Sequence, residues 1–92
     1  MVAEPVSFPI PRATAYLVAA FKLIDNVPTF VGVDIFSEPE PTIDGMHRCF
    51  VVTKVEAVTY SRAVGELLDL IRYSPWLAWI RAQPSFQKRG VI

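Results

Sequence analysis

The side chains with the greatest chemical reach are His47 and Cys49, two residues apart with Asp44 just upstream. On a strand that spacing points both side chains to one face, which is how a metal site or a thiol–imidazole pair would begin. A zinc site needs further cysteine or histidine ligands. The chain has one of each, so only carboxylates are left to complete the set. A nucleophilic pair needs a third group to orient its base, and the neighbouring sequence offers none. Cys49 therefore reads as a small buried residue. Glu38 and Glu40 are spaced as paired carboxylates, but they alternate with Pro39 and Pro41 in an extended stretch that cannot desolvate either one for acid–base work. The four glycines are isolated, without the spacing of a phosphate loop. No catalytic, cofactor-binding or metal-ligating residue is expected, and the chain is expected not to be an enzyme.

Binding chemistry is better represented. Tyr16, Phe30, Phe36 and Phe50 alternate with Lys22, Arg48 and Lys54 at even-numbered positions of β-prone runs, so an unbroken strand period places them on one sheet face. Aromatics with a cationic rim are the composition of a protein–protein interface. The same mixture also serves as a stacking platform for single-stranded nucleic acid. The segment RCFVVTKV is similar to an aromatic RNA-binding strand but lacks that motif's glycines. Zero net charge, with Asp34 and Glu56 on the same expected face, argues against phosphate contacts. Trp76 and Trp79 join the candidate partner-binding set.

The elements that position these residues can be read from periodicity. Residues 14–24 and 29–37 are rich in Val, Ile, Phe and Tyr and flank Asp25-Asn26-Val27-Pro28, a hairpin signature with Pro28 in the corner or at the first strand position. Leu17, Ala19, Phe21 and Leu23 on one run, and Val31, Val33 and Ile35 on the other, form an odd-numbered apolar face. Pairing odd with odd requires a loop of three or five residues, because a two-residue turn would set Asp34 on the face of Phe21. A third run, residues 47–60, continues the apolar face through Cys49, Val51, Val55 and Ala57.

From Ser61 the period turns helical. Val64, Leu67, Leu68 and Ile71 form a stripe able to cover a sheet, with Thr59 or Ser61 as cap. Ser74-Pro75 ends that helix and starts a second, over residues 75–83, with Trp76, Trp79 and Ile80 on one side and Pro84 as its stop. The expectation is one small α+β domain, a three-stranded antiparallel sheet in the order β-β-β-α-α with C-terminal helices packed on one face. It spans residues 13–83, between a proline-rich extended arm (1–12, with Phe8 and Ile10 as anchors) and a loosely held tail (84–92). Residues 38–45 form an acidic connector closed by an Asp44-Gly45 turn.

Ninety-two residues, 52% of them hydrophobic, hold more apolar surface than one small core hides, so association with itself or with another protein is expected. The charge is divided: residues 1–46 carry two cationic against six anionic side chains, and residues 47–92 seven against three. A single cysteine excludes an internal disulfide, and no apolar run is long enough to span a bilayer. The sequence thus predicts a soluble cytoplasmic, non-enzymatic protein-binding module, an assembly subunit or an inhibitor or adaptor of the compact kind that viruses and mobile elements encode. The alternative is a single-stranded nucleic-acid binder using the same face.

Overall fold

The computed structural model describes residues 12–43, 45 and 48–88. Strands β1 (Ala13–Ile24), β2 (Val27–Phe36) and β3 (Arg48–Ala57) form one antiparallel sheet in the order β2-β1-β3. Helix α1 (Tyr60–Tyr73), a 3-10 turn (Pro75–Leu77) and two short helices, α2 (Ala78–Arg81) and α3 (Pro84–Gln87), follow. The fold is the expected α+β arrangement. The expected arm lies outside the described residues apart from Arg12, as do Asp44, His47 and residues 89–92.

The hairpin closes differently from the expectation. Asp25 and Asn26 alone form the turn, both with positive φ (52° and 63°), the left-handed pair that matches the twist of the flanking strands. The side-chain parity argued against two residues, and the structure meets that objection with a bulge. Next to the turn Phe21 pairs with Phe30, whereas beyond Val31 the partners become Ala20 with Gly32 and Ala19 with Val33. The extra residue returns Val33 and Ile35 to the face of Leu17 and Ala19 and keeps Asp34 off it. Pro28 is the second residue of β2, opposite Leu23. The turn-closing pair Ile24–Val27 exchanges the ladder bonds, so position 28 directs its missing N–H outward, where an edge strand tolerates it.

A second irregularity lies in β3. Leu17 pairs with Thr53 but Val18 pairs with Val51, leaving Val52 unmatched. Val55 and Ala57 keep the expected face. Val51 and Cys49 move to the opposite one, beside Val18 and Ala20. This corrects the odd-numbered face read from the sequence, since a run of two valines gives no sign of where the period slips.

The core lies between the sheet and the helices. Ala15, Leu17, Ala19, Val33, Ile35 and Ala57 meet Ala63, Leu67 and Ile71 of α1, with Leu77, Ile80 and Phe86 closing the C-terminal side. Thr59 caps α1 as expected, its hydroxyl accepting from the Arg62 N–H at 3.2 Å. At the other end one guanidinium nitrogen of Arg81 donates to the carbonyls of Ile71 (2.7 Å), Ser74 (3.1 Å) and Arg72 (3.2 Å). The Ile71 and Arg72 carbonyls are acceptors the helix end leaves without an intrahelical partner, at the negative pole of its dipole, while the Ser74 carbonyl also accepts the Leu77 N–H at 3.1 Å.

The C-terminal residues correct two expectations. Residues 75–83 are not one helix: Leu77 and Ile80 are the buried pair, and the tryptophans point outward. Pro84 starts α3 instead of beginning a loose tail, and Phe86 is fully buried. The Ser85 hydroxyl donates to the Val33 carbonyl at 2.7 Å and ties α3 to β2.

Candidate functional site

The two bulges decide which aromatics stand together. Phe30, opposite Phe21, and Phe50, opposite Ala19, are both rotated onto the helix-bearing face. Phe21 is the hub of the resulting row: its ring meets Phe50 edge-on at 5.4 Å between centroids and Phe30 at 5.7 Å, and Phe30 in turn meets Trp79 at 6.2 Å. All three contacts are T-shaped, the geometry in which ring edges meet ring faces favourably.

The row lies at the turn end of the sheet, where the hairpin extends beyond the helical layer. Leu23, Ile24 and Val27 are exposed there, and the rings stay partly open: Phe30 38%, Trp79 46%, Phe50 53%. Arg48, opposite Phe21, is exposed at the rim. Trp76 (56% exposed) lies one short turn before Trp79.

The single aromatic and basic face expected from the sequence is therefore divided. Phe30, Phe50, Arg48 and Trp79 gather on the helix-bearing side. Tyr16, Phe36 and Lys54 form a separate cross-strand row on the opposite face, where Tyr16 pairs with Phe36 on one side and Lys54 on the other. Lys22 belongs to that opposite face too, since it pairs with Thr29 one residue beyond Phe21. The physical reason is the extra residue in each outer strand, which shifts the two-residue period by one beyond the bulge. Strand period puts Phe21 on the odd-numbered apolar face, and nothing local in the sequence marks it as the centre of a partly open row.

The opposite face is crossed by the connector between β2 and β3. These strands run parallel with β1 between them, so the chain passes over β1 to join them. Ile43 of this connector, with Val18, Ala20 and Gly32 of the sheet and Gln83 and Pro84 beyond the β2 edge, lines an open cleft of about 330 Å³. Gly45 holds a φ of 76°, in the region that favours glycine, where a turn was expected. A second cleft separates the connector from the start of β3, where the Cys49 thiol donates weakly to the Pro41 carbonyl at 3.8 Å. The titratable side chains lining these clefts are Asp34 in the first cleft and Glu40, Arg48 and Cys49 in the second. Among the described residues no three histidine, cysteine or carboxylate side chains are placed to hold a metal ion. Nor is any described helix long and apolar enough to cross a membrane.

Comparisons with protein-family models, with curated proteins and with solved structures find no match to this chain.

Proposed function

We propose that this chain is a non-enzymatic protein-binding module, an assembly subunit or an inhibitor or adaptor, acting through the row Phe50–Phe21–Phe30–Trp79 with Arg48 and Trp76 at its rim. The observation that carries the reading is that this row is ordered by mutual edge-to-face contacts and yet left partly open to solvent. Rings already held in place lose little conformational freedom on binding, and aromatics beside arginine supply the residues that dominate protein interfaces. Cys49 is a free thiol, which fits a reducing compartment such as the cytoplasm.

The nucleic-acid alternative draws less support from the geometry. Lys22 and Lys54 belong to the face opposite Phe30 and Phe50, so a strand stacking on the row would meet Arg48 as its nearest sheet cation. A basic groove beside the stacking rings is what such binders use.

The test compares capture from native lysate by the wild type, by Phe50→Ser with Trp79→Ser, and by Phe36→Ser as a control for the opposite face, with far-UV circular dichroism to verify folding. Loss of captured protein in the double variant alone supports the reading. Equal capture by all three refutes it. Salt-dependent retention on a polyanion column, with copurifying absorbance at 260 nm, would favour nucleic acid.

A further inference from the structure

The two edges of the sheet are finished differently. The outer edge of β2 is interrupted three times: by Pro28, by the bulge at Val31, and by Ser85, whose hydroxyl occupies the Val33 carbonyl. Such devices keep an edge from pairing with another chain. The second half of β3, Thr53 to Ala57, contains no proline, glycine or bulge. Among the described residues the elements that pack substantially on β3 are its neighbour β1 and helix α1.

The charges along this edge are self-complementary. Lys54 pairs with Tyr16 and Glu56 with Thr14, so both are on the face away from α1, both exposed, with Val55 between them on the other face. In an antiparallel pair of β3 strands related by a two-fold axis at Val55, Lys54 of each copy is directly opposite Glu56 of the other. Val55 then meets itself, Thr53 faces Ala57, and the exposed Val58 comes beside Val52. Neighbouring registers are disfavoured: an axis at residue 54 sets Lys54 against Lys54, and one at residue 56 sets Glu56 against Glu56.

We propose that a second copy of this chain pairs along Thr53–Ala57 of β3, forming a two-fold dimer with a continuous six-stranded sheet. The pairing does not depend on the aromatic row, which lies beside the first residues of β3.

Charge exchange tests it. Sedimentation velocity over a wide concentration range should show a dimer for the wild type. Lys54→Glu sets Glu against Glu56, and Glu56→Lys sets Lys against Lys54, so each alone should dimerise about tenfold more weakly or worse. The double variant K54E/E56K should recover the dimer. So should an equimolar mixture of the two single variants, whose heterodimer has opposite charges at both positions. Circular dichroism separates unfolding from dissociation, and Phe50→Ser should leave the mass unchanged. A wild type that stays monomeric throughout, or single variants that dimerise as tightly as the wild type, overturns the proposal.

Discussion

Phe86→Ala puts the largest burden on the C-terminal arrangement. Phe86 is fully buried among the side chains that close the core, in a segment with no recognisable period. A phenylalanine side chain removes about 200 Å² from water, worth roughly 5 kcal/mol at ~25 cal/mol per Å². Measured truncations of buried phenylalanine cost about 3–5 kcal/mol once the residual cavity is included. A domain of this size has a total stability of about 5–15 kcal/mol, and each kcal/mol moves the melting temperature by about 4–8 °C. The variant should therefore melt at least about 12 °C lower and show a matching fall in urea-unfolding free energy. Trp76→Ala removes a larger ring from a half-exposed position and should cost less than about 1 kcal/mol. The reverse ranking, with Trp76→Ala the costly change, would mean that the segment after Pro75 docks with its tryptophans inward. That result would refute the packing described here.

Deleting Val31 should be tolerated to within about 1 kcal/mol in urea unfolding, because it removes the unmatched residue and leaves every partner on its present face. A regular β2 reached through a three-residue loop would instead be unfolded by the deletion, as Asp34 turned inward onto the face of Ala19. Asn26→Gly should stabilise by about 0.5–1 kcal/mol in the same assay, since φ at that position is 63° and glycine adopts it without strain. Arg81→Met should cost about 1.5–3 kcal/mol by leaving three carbonyls at the end of α1 without their cationic donor. Hydrogen exchange should localise that loss to the last turn of α1.

What was legible in the sequence is what depends on local period and local chemistry. The stripe Val64, Leu67, Leu68 and Ile71, the Thr59 cap and the stop at Ser74-Pro75 place α1 almost to the residue, and each of these determinants lies within two turns of the next. The hairpin was legible, and so was the conflict between a two-residue turn and the hydrophobic parity. The resolution was not, because a longer loop and a bulged strand satisfy the same pattern. The face of Phe30 and Phe50 depends on bulges that only the pairing of β1 with two different partners reveals. For the segment after Pro75 helical spacing places Trp76, Trp79 and Ile80 on one side, whereas the docking of α2 and α3 buries Ile80 with Leu77 and leaves both tryptophans half-exposed, a choice made by contacts distant in sequence.

Because β1 is the first of the described strands and central in the sheet, the described fold assembles in two unequal steps. The β1–β2 hairpin closes around Asp25 and Asn26 through contacts near in sequence and forms on a short timescale. The other edge of β1 waits for β3, whose partners range from Phe21 with Arg48 to Ala13 with Ala57, so chain entropy is spent closing a long loop before those bonds repay it. During synthesis the hairpin emerges with the apolar surface of Leu17 and Ala19 unsheltered, and it stays so until α1 has left the ribosome. Folding speed should therefore be set by the arrival of β3 and α1, with the hairpin already in place.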